Sequence, residues 1–193
     1  MSFVPAFELG LWNAWLFMVP SLLFMLLSLF LFKEKGAPAP SMRLSKTKLS
    51  FCLLSKFIYF AAVIYSVFLP LESGTIWFCM GLPITLIGLV GNMMTVANWA
   101  STPVGKPVTR GLYRFSRHPI YVTEVLLLVG VSIASASWVF LLFPIIIGLG
   151  AVYFIKMEEA QCIGHYGNAY REYMNMTPRW IGIPKSRKKN HNP

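Results

Sequence analysis

The segment YRFSRHPIYVTE, residues 113–124, gathers Arg114, Arg117, His118, Tyr121 and Glu124 between stretches of nearly pure hydrocarbon. An arginine fork pairs with carboxylates or phosphates, and a histidine with a pKa near ~6.5 serves as hydrogen-bond donor or proton acceptor. Further on, Glu158 and Glu159 stand side by side. If they close a helix they oppose its macrodipole and repel each other, so they need a positive or hydrogen-bonding partner; a carboxylate of this kind also accepts both hydroxyls of a ribose. The stretches YGNAYREY and TPRW add Tyr166, Tyr170, Tyr173 and Arg179. Their aromatic faces suit a nearby cation.

A plain membrane-interface belt accounts for much of this: arginines on lipid phosphates, tyrosines at head-group level, Pro119 in the first turn of a helix, and solvated glutamates balanced by Lys156 and the basic tail. His118 is the residue it explains least, because histidine is not an interfacial anchor.

The elements that must position these groups are membrane helices. Of 193 residues, 56% are hydrophobic and 12% charged, about half the charged fraction of a soluble domain. There are 17 Lys and Arg against 7 acidic residues, all Glu, giving a net charge of +10. The basic residues fall between or after apolar runs, as cytoplasmic loops do, which speaks against a nucleic-acid partner. Cys52, Cys79 and Cys162 have no metal-ligand spacing, and the first two suit small buried thiols. The N-terminus MSFVPAFELGLW lacks a basic n-region and is expected to be kept as part of the first span.

Leu9 to Phe32 is uncharged for 24 residues, enough to cross ~30 Å of hydrocarbon. A Pro- and Gly-rich basic linker, KEKGAPAPSMRLSKTK, separates it from a second span at about Leu49–Leu71, with Lys56 snorkelling near its cytoplasmic end. The turn PLESG joins this to a third span, Ile76–Trp99. The segment Lys106–Arg117 is basic and therefore cytoplasmic. Val125–Ile155 is uncharged for 31 residues, which as one helix would run ~47 Å and overshoot the bilayer core. One helix would also put Arg117 and the tail Lys185–Lys189 on opposite sides. The small residues SIASAS suit a turn, so the expectation is a hairpin of two short helices, Ile120–Ile133 and Trp138–Met157, followed by an amphipathic helix carrying Tyr166, Tyr170 and Tyr173. The predicted fold is an all-α integral membrane protein of five transmembrane helices plus a C-terminal cytoplasmic interfacial helix. It forms one domain over 1–193, with helices one to three in 1–103, the catalytic and cofactor-binding part in 104–184 and a basic tail in 185–193. The N-terminus is expected outside and the C-terminus in the cytoplasm. The hairpin brings RHPIY and KMEEA to one side of the membrane.

Taken in order, Gly111, Tyr113, Arg117, His118, Pro119, Tyr121, the hairpin, Glu158, Glu159, Gly167, Tyr170, Tyr173, Arg179 and Pro184 resemble the isoprenylcysteine carboxyl methyltransferase family, and more widely the membrane methyltransferases that include phospholipid N-methyltransferases. The resemblance covers about residues 104–184. Thr123 departs from it, since the pattern RHPxYxG has glycine there.

The resemblance implies methyl transfer from S-adenosylmethionine to a lipophilic acceptor, with the isoprenylcysteine-like carboxylate foremost. The chain has neither a Rossmann fingerprint nor any Asp, so a soluble-type methyltransferase domain is excluded. It implies cofactor contacts from Lys106, Val108 and Gly111 through backbone groups, from His118, Pro119 and Tyr121, from Tyr113 and Tyr170 by aromatic packing, and from Glu158 or Glu159 at the ribose, with Glu159 foremost since adjacent helical residues point ~100° apart and only one can face His118 directly. Arg117 or Arg179 would hold an acceptor carboxylate, and for an amine or thiol Glu158, foremost, or Glu159 or His118 would act as base. Phospholipid or small-thiol acceptors, a sterol-type NADPH reductase and a non-enzymatic lipid-binding subunit are the alternatives.

Overall fold

The computed structural model describes residues 8–34 and 46–185. The linker between Lys35 and Ser45, the residues before Glu8 and the tail after Lys185 lie outside them. Six α-helices follow in order: α1 (Trp15–Glu34), α2 (Lys46–Val67), α3 (Ile76–Ala100), α4 (Pro119–Ala134), α5 (Trp138–Tyr166) and α6 (Asn168–Met176), with a 3₁₀ turn at Gly111–Arg114 before α4. Helices α3 and α5 are long and apolar enough to cross a membrane, and the apolar parts of α1, α2 and α4 are shorter. Leu23, Phe30, Phe57, Ile64, Ile87 and Leu149 point outward and exposed. A bundle with an oily exterior suits lipid, where no water competes for it.

Local chemistry sets the helix ends. Thr75 caps α3 by accepting from the Phe78 N–H at 3.3 Å, and Ser137 caps α5 by accepting from the Phe140 N–H at 3.1 Å. Pro119 occupies the first turn of α4, where its missing N–H costs nothing. The second span stops at Val67 instead of Leu71 because Pro70 cannot continue a helix. The first starts at Trp15 instead of Leu9. Here the Ala14 N–H donates to Leu69 O at 2.9 Å, and Asn13 Nδ2 donates to Glu8 O and Val67 O at 2.6 and 2.8 Å.

The hairpin turn falls at Ser135–Ser137, with Ala136 in the left-handed region at φ 50°. The Glu72 N–H donates to Ala134 O at 3.2 Å. Together with the Ala14 and Asn13 bonds, this bond gathers the start of α1, the end of α2, the start of α3 and the α4–α5 turn at one end of the bundle. The fourth helix lies close to its expected range, but the fifth is not short. Its 29 residues run through Glu158 and Glu159 to Tyr166 and stop at Gly167, whose φ is 59°. Falling hydropathy after Met157 marks where apolar surface ends, whereas the helical hydrogen-bond ladder continues until glycine breaks it. The glutamates are therefore helix-interior residues, and the macrodipole conflict expected of them does not arise. Tyr166 belongs to α5, leaving Tyr170 and Tyr173 as the buried stripe of α6.

Helices α3 and α4 pack most closely. Gly81, Gly88 and Gly91 face Ala134, Leu127 and Thr123 so tightly that a Cβ on any of the three would run into α4. Cys79, expected buried, is exposed on the outer face of α3.

Candidate active site

At the end of the bundle opposite the hairpin turn, the C-terminal segment folds back on the start of α4. The Arg117 N–H donates to Pro178 O and the Gly182 N–H to Phe115 O, each at 3.0 Å. Tyr173 Oη donates to Tyr113 O at 2.7 Å, and the Lys185 N–H donates to Met176 O at 2.8 Å. These bonds bring four sequence-distant motifs together.

Their centre is Glu159. Arg179 holds it with two hydrogen bonds, Nε to Oε1 at 3.2 Å and Nη2 to Oε2 at 2.7 Å. Arg117 Nη1 lies 3.0 Å from Oε1 as an ion pair, and His118 Nε2 lies 3.3 Å from the same oxygen. His118 also approaches the second glutamate, with Nδ1 3.6 Å from Glu158 Oε2, while its backbone N–H donates to Ser116 Oγ at 3.1 Å. The imidazole thus bridges both glutamates, although adjacent helical residues point ~100° apart. Lys156 makes no ion pair with either; the counter-charges of Glu159 are the two arginines. The Glu159 hydrogen bonds, more than any other cause, hold the Arg179 guanidinium charged.

The two glutamates differ in surroundings. The Glu159 side chain is 5% exposed and fully engaged, whereas that of Glu158 is 34% exposed and accepts from Tyr121 Oη at 3.2 Å. Glu158 borders a cavity of about 330 Å³; Glu159 does not. Arg117, His118, Tyr113, Tyr121, Val108 and Tyr170 border it too. Burial, followed by the nearby Glu158 charge, raises the Tyr113 phenol above its usual range, and burial raises Tyr173 likewise. Both therefore remain neutral hydrogen-bonding groups.

Other expected residues stand apart. Arg179 and Glu159 form the wall behind the cavity, and Lys106 borders only a small separate hollow shared with Val108 and Tyr166. Gly111 has φ 61°, and its Cα lies against the Asn98 amide. Pro119 is buried in helix packing. Arg117 Nε, buried, finds no acceptor among the described residues.

Sequence reasoning left Glu124 without a role. It too borders the cavity, deeper in the bundle, with Ser21, Tyr59 and Asn92. A lone carboxylate well inside an apolar helix was the available signal. Thr123, in the place of the pattern's glycine, donates to Asn92 Oδ1 at 2.5 Å and fills the space against Gly91.

Residues 73–169, half of the chain, match the model of the phospholipid methyltransferase family. The chain belongs to that family. No curated protein matches it. Phospholipid methyltransferase-family enzymes use S-adenosylmethionine, so the protein is a membrane methyltransferase with that cofactor. A methyltransferase family leaves no place for an NADPH-dependent reductase or a non-catalytic subunit. The matched stretch takes in the start of α4, its hairpin and both glutamates, while Tyr170, Tyr173 and Arg179 lie just beyond it.

Proposed function

We propose that this methyltransferase transfers a methyl group to a lipophilic acceptor that enters sideways between the helices, while the cofactor enters from the cytoplasmic end. The observation that carries the proposal is the continuity of one cavity. It runs from a polar rim of Arg117, His118, Tyr121, Glu158 and Tyr113 into an apolar interior bordered by Phe24, Met25 and Phe154.

The residues present fit S-adenosylmethionine. The orphaned Nε of Arg117 would take the carboxylate of its amino-acid part. Glu158, open to the cavity, is better placed than the enclosed Glu159 to accept the ribose hydroxyls. Tyr113, Tyr166 and Tyr170 would cover the adenine or the sulfonium. The cofactor supplies an electrophilic methyl; the chain aligns it and excludes water. In this assignment Glu159, Arg179 and His118 position Arg117 and Glu158 without touching the ligand.

The same proposal takes five membrane-crossing helices, with the N-terminus outside and the site cytoplasmic. A second reading keeps the isoprenylcysteine-like carboxylate as acceptor. What favours it is again the unpartnered Nε of Arg117, which would then hold the acceptor instead of the cofactor.

The test is calorimetric binding of S-adenosylhomocysteine to the purified protein, followed by a product screen with radiolabelled S-adenosylmethionine and membrane extracts. Binding together with a labelled lipid supports the proposal. A protein that binds the cofactor product but labels only water-soluble molecules would overturn the lipophilic acceptor.

A further inference from the structure

Beyond α6 the chain makes a closed loop. The Thr177 N–H donates to Tyr173 O at 2.9 Å where the helix ends, and the Lys185 N–H donates to Met176 O at 2.8 Å, so residues 177–185 leave α6 and return to it. One side of the loop is tied to the site. Arg179 reaches inward to Glu159, Ser116 Oγ donates to Arg179 O at 3.4 Å, and main-chain bonds join Pro178 to Arg117 and Gly182 to Phe115. The other side is oily. Ile181 is 72% exposed and Ile183 91%, Trp180 is exposed beside them, and so are Phe115 and Met176, to which the loop is bonded. None of the loop's apolar side chains belongs to the buried core. A contiguous apolar patch of this kind marks a surface that something apolar covers.

Charge indicates what covers it. Arg114, next to Phe115, and Lys185, at the loop's return, are exposed, and among the described residues neither forms an ion pair. The sequence continues with Arg187, Lys188 and Lys189, and Glu172 is the only acidic residue after Glu159. An apolar wedge with a basic margin is the composition of a segment that lies in a membrane interface, where Trp and Ile enter the head-group zone and Lys and Arg meet acidic lipid phosphates. The loop stands at that level. Phe115, which accepts from the Gly182 N–H, lies four residues before Pro119, where α4 starts.

We propose that residues 177–185 dock on an acidic lipid leaflet, and that this docking seats Arg179 on Glu159 and so sets cofactor affinity from outside the cavity. The lipid acts here as a surface and not as the methyl acceptor. The link to the site is the one side chain of the loop that reaches inward. The Arg179 side chain is 40% exposed, so water competes for its hold on Glu159. Anchoring the oily face limits the loop's freedom and keeps the Glu159 carboxylate, and through it Arg117, in place. The inference rests on the methyltransferase reading above for its cofactor readout alone.

The test uses the full chain in two kinds of lipid nanodisc, phosphatidylcholine alone and phosphatidylcholine with added phosphatidylglycerol, an acidic lipid without an amine to methylate. A polarity-sensitive dye on Ile183→Cys, in a background with the three native cysteines replaced, should shift further to the blue in the acidic discs. By calorimetry, S-adenosylhomocysteine should bind wild type about fivefold more tightly in acidic than in neutral discs, and the gain should fade at high salt. Trp180→Ser with Ile183→Ser, and separately Arg114→Gln with Lys185→Gln, should hold the neutral-disc affinity within about twofold and lose the acidic gain. Equal wild-type affinity in the two discs, or a gain that survives in either double variant, overturns the proposal. So does an equal gain from inorganic phosphate added to neutral discs, because a soluble anion would then act without docking. If the double variants fail to fold, the dye shift and the wild-type comparison decide. Absent S-adenosylhomocysteine binding in both discs would instead overturn the methyltransferase reading, and the dye shift would report docking separately.

Discussion

Arg179 and Glu159 form a two-pronged pair, Nε to Oε1 at 3.2 Å and Nη2 to Oε2 at 2.7 Å, that ties the C-terminal segment to the C-terminal third of α5. The same carboxylate is 3.0 Å from Arg117 Nη1. One glutamate thus neutralises guanidinium groups from both ends of the site, and its first task is structural. Removing one partner of a buried ion pair leaves the other uncompensated, at a cost of about 3–5 kcal/mol. Glu159→Gln, which keeps one acceptor oxygen, should cost about 3 kcal/mol in a detergent-based unfolding measurement. Arg179→Ala should cost less, because Arg117 and His118 remain beside the carboxylate. Unchanged stability in Glu159→Gln would mean that the arginines find other acceptors.

Glu158 should behave in the opposite way. It is one-third exposed, accepts one hydrogen bond, from Tyr121, and stands 3.6 Å from His118 Nδ1, so Glu158→Gln should change folding stability by no more than about 0.5 kcal/mol. As the proposed ribose acceptor it should weaken S-adenosylhomocysteine binding by about 1.5–3 kcal/mol, the range for a hydrogen bond to a charged group. Calorimetry on the two Gln variants separates the roles: Glu158→Gln loses affinity with its fold intact, whereas Glu159→Gln loses stability. Equal losses in both would require the ribose contact to be reassigned.

The convergence of Arg117 and His118 with the glutamates was legible in the sequence because two basic segments flank one long uncharged run, and charge placement leaves only a hairpin. The Ser135–Ser137 turn followed from its small residues. The end of α5 was not legible, since apolar content records what lipid touches and not where backbone bonding stops. Nor could adjacency alone show which glutamate is enclosed. That depends on the return of Pro178 and Arg179 over the start of α4, a long-range contact with no local signal. Glu124 is a single residue without a motif. Its meaning comes from Ser21, Tyr59 and Asn92 on three other helices.

Gly111 gives a test of the 3₁₀ turn that presents Tyr113. Its φ of 61° lies in the left-handed region, and a Cβ there would collide with the Asn98 side chain. The conformation alone costs a non-glycine residue about 1–2 kcal/mol. Gly111→Ala should therefore lower stability by about 2 kcal/mol or displace the turn, and in the second case cofactor affinity should fall as Tyr113 moves. Gly111→Ala combined with Asn98→Ala should recover the steric part only. A thermal-shift series with and without S-adenosylhomocysteine distinguishes the two.

The last prediction concerns orientation. Glu72 is exposed beside the α4–α5 turn, to which its N–H is bonded, while Lys106 is exposed at the other end of the bundle. Under the proposed topology, Glu72→Cys faces the outside and Lys106→Cys the cytoplasm. In a background with the three native cysteines replaced, an impermeant maleimide added to intact cells should label Glu72→Cys and spare Lys106→Cys until the membrane is opened. A C-terminal tag should share the protection of Lys106→Cys, because α5 and α6 return the chain to the end where Arg117 lies. The reverse labelling pattern would keep the bundle but put the site outside, away from the cytoplasmic cofactor pool that the proposed function needs. Equal labelling of both positions from one side would be incompatible with the bundle crossing the bilayer end to end, since the two sites sit at its opposite ends.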